Sequence, residues 1–399
     1  MAKIRLAYLV THPIQYQAPL LRRLAQEPDL DLTVFFCSDL STKKFHDPEF
    51  GKEIEWDVPL LEGYRYEFLP ALGGRDRVSF LRPLNYGLAR RLKEGRFEIL
   101  WVHGYNRGFH WLALGQAKVR GLKVLIRDEA TLISARRSFG KRLLKKWFFA
   151  GLRPLADGFL AIGSLNREYY RHYGIPDRKI FLVPYAVDNA FFQAGTQKAE
   201  VHREELRREL GLTPGRPVIL FAGKIEPRKR PADLLAAYLK LTKTCALAES
   251  PYLLFVGDGA QRQHLEAVAR GKNLDTVRFL GFKNQTELPA YYDLCDVFVL
   301  PSVFEPWGLV VNEVMNAGRA VIVSDQVGCG PDLVRNGENG FIFPAGDISA
   351  LTSALEKALA DPASCRALGE KSRAVISRWG FNEDLAGLRQ AIQAIMGRT

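Results

Sequence analysis

Two carboxylates, Glu305 and Glu313, flank seven residues in the stretch "PSVFEPWGLVVNEV". An apolar strand pattern over 297–300 ends at Pro301, and a helix is expected from about Gly308. Glu305 then sits in a crossover loop and Glu313 on the helix, where both can face one space. An ionised carboxylate accepts hydrogen bonds and suits hydroxyl groups. Glu305 fits the hydroxyls of a sugar, and Glu313 the paired hydroxyls of a ribose. The amides of Trp307, Gly308 and Leu309 at the helix start would point into the same space and favour negative charge. Upstream, "VILFAGKIEPRKR" gathers Lys224, Arg228 and Lys229 where a strand hands over to a helix, a placement that suits a diphosphate. "VGDGAQ" follows another strand, and Gly257 and Gly259 would let backbone approach a ligand closely. Each segment also has a plainer reading, as a solvated charge cluster or an ordinary helix carboxylate.

The front half offers a second set. "THPIQYQAP" follows the first strand, with His12 and Gln15 as candidate acceptor or phosphate contacts or as parts of a rigid Pro13/Pro19 turn. "HGYNRG" places His103, Asn106 and Arg107 at a strand end; His103 reads equally as a capping histidine, and Arg107 suits an anionic acceptor. "LIRDEATL" ends the next strand with Asp128 and Glu129. Either carboxylate could position a reacting hydroxyl, and either could be the salt-bridge partner of Arg127.

These groups need strands ending at a common edge. Apolar strand patterns recur at 4–10, 32–37, 98–104, 123–128, 158–163 and 180–188, separated by helical stretches. A second series runs through 217–224, 252–259, 277–282, 297–302, 320–325 and 340–344. Strands apolar on both faces and alternating with helices imply parallel sheets covered on both sides. The expected fold class is α/β: two doubly wound Rossmann-like domains facing a central cleft, with ligands at the carboxyl ends of the strands. The expected division is 1–195, 196–380 and a terminal helix at 381–399 packing back near the first domain.

The 399 residues exceed one ordinary core. Five scattered cysteines without a CxxC pair read as a reducing compartment and no zinc site. No metal is expected, and no apolar run reaches membrane-spanning length. The net charge of +12 is uneven: residues 1–190 carry 31 basic and 20 acidic residues, and 191–399 carry the remaining 25 and 24. No nucleic-acid recognition motif accompanies this charge, and nucleic acid is not an expected partner. The densest segment, Arg136–Arg153, has seven basic residues and no acid, interleaved with Leu143, Leu144, Trp147, Phe148 and Phe149. On a helix, its basic flanks reach anionic headgroups while Trp147 and Phe148 enter the interface, or else the aromatic stripe packs inward beneath a solvated basic face.

The C-terminal half resembles the nucleotide-binding domain of family 4 glycosyltransferases, which have the GT-B fold. The resemblance rests on Glu305 and Glu313 spaced by seven residues after a "PS" pair, on the following "VMNAGRAVIVSDQVGCGPDLVRNGENGFIFP", and on "FAGKIEPRKR". It is close over 215–345 and looser elsewhere. A subgroup of bacterial glycosyltransferases resembles the "HPIQY" opening. The resemblance implies retaining transfer of a sugar from a nucleotide-sugar donor without a metal. Lys224 and Lys229 would neutralise the donor diphosphate, Glu313 bind the ribose and Glu305 touch the transferred sugar. Lys224 stands where the family usually has arginine. Family members usually place a histidine near the end of the strand at 123–128; this chain has Arg127, Asp128 and Glu129 there, and a carboxylate could take over part of its role, with relatives of this opening favouring Glu129. The implied acceptor is a saccharide, lipid-linked in lipopolysaccharide, capsule or exopolysaccharide synthesis, with the enzyme cytoplasmic or peripheral on the inner membrane. The alternatives are an enzyme acting on a soluble small molecule or protein, an epimerase of similar fold, or a non-catalytic nucleic-acid-binding protein.

Overall fold

A computed structural model describes residues 3–47, 50–73, 78–133, 139–243 and 250–397. In chain order the strands are β1 (Ile4–Val10), β2 (Leu30–Phe36), β3 (Phe45–Asp47), β4 (Lys52–Ile54), β5 (Arg65–Phe68), β6 (Ala71–Leu72), β7 (Leu84–Asn85), β8 (Ile99–His103), β9 (Lys123–Arg127), β10 (Gly158–Ala161), β11 (Ile180–Leu182), β12 (Val218–Ala222), β13 (Tyr252–Val256), β14 (Val277–Gly281), β15 (Val297–Leu300), β16 (Ala320–Ser324) and β17 (Gly340–Phe343). The helices are α1 (Ala18–Ala25), α2 (Leu88–Glu94), α3 (Gly108–Val119), α4 (Phe139–Leu152), α5 (Ser164–His172), α6 (Asn189–Glu200), α7 (Arg203–Glu209), α8 (Pro231–Leu241), α9 (Arg262–Gly271), α10 (Leu288–Leu294), α11 (Leu309–Asn316), α12 (Gly330–Leu333), α13 (Ile348–Leu359), α14 (Pro362–Ile376) and α15 (Phe381–Met396).

The chain forms two units: Met1–Phe45, Val58–Tyr185 and Phe381–Thr399 make the first, and His46–Asp57 with Ala186–Gly380 make the second. The first holds a parallel sheet in the order β11-β10-β9-β8-β1-β2-β5. The second holds a parallel sheet in the order β14-β13-β12-β15-β16-β17. Both are doubly wound, and the order reverses at the β1/β8 pair and at the β12/β15 pair. At such a switch point the crossover helices diverge to opposite faces, and a crevice opens beyond the strand ends.

The strands are apolar on both faces because helices cover both. β12, β13 and β16 are buried along their whole length. Tyr238, Leu234 and Leu235 of α8 pack with Phe221 and Phe255 on one face of the second sheet. In the first unit, Leu385, Leu388 and Ile392 of α15 close the face formed by Leu6, Tyr8, Val34 and Trp101. A buried ion pair fixes this helix: Arg127 Nη2 lies 3.1 Å from Asp384 Oδ2, with side chains 2% and 0% exposed. Arg127 also donates to the carbonyls of Val183 and Pro184 and lies over the Tyr185 ring. The expected strand at 180–188 stops at Leu182. Pro184 supplies no ladder donor, and the Val183 and Pro184 carbonyls turn to Arg127 instead.

Candidate functional site

In the second unit, β12 and β15 deliver the candidate donor residues to the switch point. β12 is followed by a turn whose short 3-10 helix, Pro227–Lys229, carries Lys229 back across the strand ends. β15 is followed by the loop holding Glu305, whose amide donates to the Gln326 carbonyl while its own carbonyl accepts from Gly328. These bonds, between loops after adjacent strands, fix the loop, and Lys229 Nζ meets Glu305 Oε2 at 2.6 Å. Gly308, with φ of 95°, turns the chain into α11 with no side-chain cap, so the first-turn amides around Leu309 end the helix at this edge. Glu313 lies one turn further in and accepts from Tyr292 Oη at 2.6 Å. Burial pushes its carboxyl from 4.5 up to about 7, against the opposing pull of the Tyr292 hydroxyl and the Lys229 charge. The structure thus brings Lys229, Glu305 and Glu313 together. Tyr292, which sequence reasoning missed, has no motif of its own; only the packing of α10 against α11 reveals it.

The three basic residues after β12 each have an acidic partner. Lys229 has Glu305, Arg228 has Glu226 at 2.8 Å, and Lys224 has Asp47 at 3.2 Å. The Trp307 indole lies in the core: it is 3% exposed, stacks on Trp379 at 5.6 Å and donates to Asn312 Oδ1 at 2.9 Å. Gly257 and Gly259 also allow one backbone to approach another. A Cβ on Gly257 would lie 1.9 Å from the Gly223 carbonyl oxygen, and one on Gly259 would lie 2.7 Å from that of Ile225. The close approach is between the loops after β12 and β13, and it sets where Lys224 and Lys229 begin.

In the first unit, β1 and β8 deliver the other candidates. His12 bonds Thr11 Oγ1 at 2.9 Å, and burial with the nearby Arg107 charge lowers its pKa to about 4. His103 meets Gln17 Nε2 at 3.2 Å, and burial with the Arg127 charge lowers its pKa to about 3. Both imidazoles are therefore neutral near pH 7. Arg107 precedes α3 and is half-buried, Asn106 is exposed, and Gln15 lies half-buried in the turn before α1.

After β9 the two acids diverge. Asp128 is 9% exposed and accepts from Tyr170 Oη, from Asn166 Nδ2 at 3.4 Å and from the Ala130 amide at 3.3 Å. It belongs to the core, which corrects its candidacy as a group reaching substrate. Glu129 accepts from the hydroxyls of Tyr185 and Tyr16, the latter at 3.4 Å. The acid paired with Arg127 is Asp384, more than 250 residues away in sequence. Tyr16 and Tyr185, whose hydroxyls lie 3.1 Å apart, join Glu129 in a cluster that the sequence reading did not assemble.

On α4, Leu143, Leu144 and Trp147 are 48%, 71% and 70% exposed, and Lys141 and Lys146 are exposed beside them. Phe149 is buried, and Phe148 packs edge-on against Trp111 at 4.9 Å, so the expectation that Phe148 enters a lipid interface is corrected. Arg136 and Arg137 lie outside the described residues. Among the described residues no group of three or more His, Cys, Asp or Glu side chains could hold a metal ion, and no helix is long and apolar enough to cross a membrane. Cys37, Cys295, Cys329 and Cys365 are free and buried.

Residues 202–375 match the model of the glycosyl transferases group 1 family, and residues 20–191 that of glycosyltransferase family 4. The chain is 28% identical over 246 residues to an alpha-D-kanosaminyltransferase of Streptomyces kanamyceticus, covering 60% of this chain and 62% of the relative. It is 31% identical over 227 residues to a D-inositol 3-phosphate glycosyltransferase of Streptomyces bingchenggensis (strain BCW-1), covering 55% and 48%. The matches thus span about half to three fifths of these relatives' length. The crystal structure of Anabaena Alr3699/HepE in complex with UDP superposes with a TM-score of 0.72 at 16% identity, covering 98% of this chain and all of that one. Each half of the chain thus matches one glycosyltransferase model, and the two Rossmann-like α/β units have the GT-B-type fold.

Proposed function

We propose that this protein transfers a sugar, with retention of configuration, from a nucleotide-sugar donor to an acceptor hydroxyl. The observation that carries the reading is the Lys229–Glu305 contact of 2.6 Å with Glu313 beside it, at the β12/β15 switch point. Lys229 and Lys224 neutralise the diphosphate that leaves, while the first-turn amides of α11 add a fixed positive field. Glu313 accepts from the ribose hydroxyls and Glu305 from the transferred sugar. The bond from the anomeric carbon to the diphosphate oxygen breaks as the bond to the acceptor oxygen forms on the same face. The acceptor proton passes to the departing diphosphate, so no protein nucleophile is needed. Within the first unit, we assign acceptor binding to Glu129 with Tyr16 and Tyr185, and to His12, Gln15, His103, Asn106 and Arg107.

The relatives' names favour a small hydroxylated acceptor, one of them being a D-inositol 3-phosphate glycosyltransferase. A second reading, a lipid-linked saccharide of a surface polysaccharide, is favoured by the exposed Leu143, Leu144 and Trp147 beside Lys141 and Lys146. A panel of UDP-, GDP-, ADP- and dTDP-sugars, titrated against wild type and Glu313→Ala, tests the donor site. Binding of none of them, or equal binding by both proteins, refutes it. Sedimentation with phosphatidylglycerol vesicles, for wild type and Trp147→Ser, separates the acceptor readings. Wild type that stays in solution removes the membrane reading.

A further inference from the structure

The second unit contains a piece of the chain's front half. Residues His46–Asp57 cluster with Ala186–Gly380, although the residues on either side belong to the first unit. This strap carries β3 and β4, which pair with each other. It crosses the carboxyl ends of three neighbouring strands, β12, β13 and β14. At β12, both oxygens of Asp47 lie 3.2–3.3 Å from Lys224 Nζ. At β13, Lys52 Nζ lies 3.1 Å from Asp258 Oδ2. At β14, the rings of Phe50 and Phe282 meet edge-on at 5.1 Å.

The two ends of the strap are held differently. Beyond β14, Asn284 Nδ2 donates to the Glu55 carbonyl at 2.7 Å, and the Thr286 amide donates to Asp57 at 3.1 Å. That end is a backbone-level anchor. The other end is held by two ion pairs of opposite polarity, Asp47 on Lys224 and Lys52 on Asp258. Lys224 takes this partner from the strap, while Arg228 pairs with Glu226 in its own loop and Lys229 with Glu305.

We propose that the strap is a latch on the donor site: Asp47 holds Lys224 until a nucleoside diphosphate displaces it. This rests on the reading that Lys224 neutralises the donor diphosphate. An ammonium that already faces a carboxylate cannot turn to a diphosphate without bringing two anions together, so one of them must leave. The diphosphate carries more charge than Asp47 and wins the exchange. The Asp47 end then swings free while the Glu55–Asp57 end stays anchored. Empty enzyme is thereby kept with Lys224 neutralised, and donor binding is weakened by the strength of the pair. A partly exposed ion pair corresponds to an affinity change of about two- to fivefold.

Isothermal titration of UDP, GDP, ADP and dTDP into wild type, Asp47→Asn, Lys224→Met and the double variant tests this, with thermal denaturation checking that each is folded. The latch requires the nucleotide that wild type binds to bind Asp47→Asn about two- to fivefold more tightly. It also requires that gain to vanish when Lys224 is methionine. Unchanged or weaker binding by folded Asp47→Asn, with Lys224→Met weakened about tenfold, overturns the latch and leaves the diphosphate reading standing. Lys224→Met binding as wild type does overturns the diphosphate reading and the latch with it. If Asp47→Asn does not fold, Lys52→Gln breaks the second pair and is read in the same way.

Discussion

Glu313 accepts from both ribose hydroxyls most strongly as the carboxylate, yet burial holds its carboxyl at about 7 in the free protein. At pH 6 about a tenth of the molecules then carry the carboxylate, and at pH 8 about nine tenths. If only the ionised form binds the ribose, the affinity for a nucleoside diphosphate rises about tenfold from pH 6 to pH 8. The nucleotide's own phosphate titrates nearby, so the informative quantity is the ratio of wild type to Glu313→Gln at each pH. Glutamine keeps the shape and does not titrate. Calorimetric titration across pH 5.5–8.5 in two buffers of different ionisation heat supplies the affinity and the proton count together. Wild type should release a proton on binding near pH 6.5, and the variant should not. A ratio flat with pH, or proton release equal in the two proteins, refutes the role of Glu313. The same shift enters stability with a definite sign. The native carboxyl holds its proton to higher pH than the unfolded one, so its contribution is fully present below about pH 4.5 and is lost as pH rises through about 7. The difference is on the order of 3 kcal/mol, and Glu313→Gln should flatten that part of the stability profile.

Three further outcomes follow from the packing. Removing the Tyr292 hydroxyl takes away a 2.6 Å donor that favours the Glu313 carboxylate, so Tyr292→Phe should move the binding profile to higher pH, by about half a unit or more. Asp384→Ala leaves Arg127 buried without its acid and should cost about 3–5 kcal/mol in denaturant unfolding; a cost below about 1 kcal/mol would show that the pair does not fix α15. Gly257→Ala places a Cβ 1.9 Å from the Gly223 carbonyl oxygen at a φ of +136°, and should destabilise by roughly 2–4 kcal/mol while shifting Lys229; unchanged thermal stability would refute the loop-contact account.

Residue pattern was enough to show the alternation of buried strands and helices, because parallel strands covered on both faces must be apolar throughout. It also determined that Glu305 and Glu313 share an edge, because their spacing straddles one strand-to-helix crossover. Local pattern carried this information, and local pattern is what sequence displays. It left open the surroundings of residues whose partner is remote. That the Trp307 indole is core shows only in its stacking on Trp379. That Gly257 lies against another backbone shows only once the neighbouring loop is in place. Asp128 and Glu129 are adjacent and chemically alike. Tertiary packing turned one toward Tyr170 and Asn166 and the other toward Tyr16 and Tyr185. The acid for Arg127 came from the final helix, and the acid for Lys224 from a strap that the front half lends to the second unit. Long-range ion pairs leave no periodicity in a chain. Charge can be counted from sequence, but the partner that neutralises it is decided only when distant segments fold onto the same strand ends.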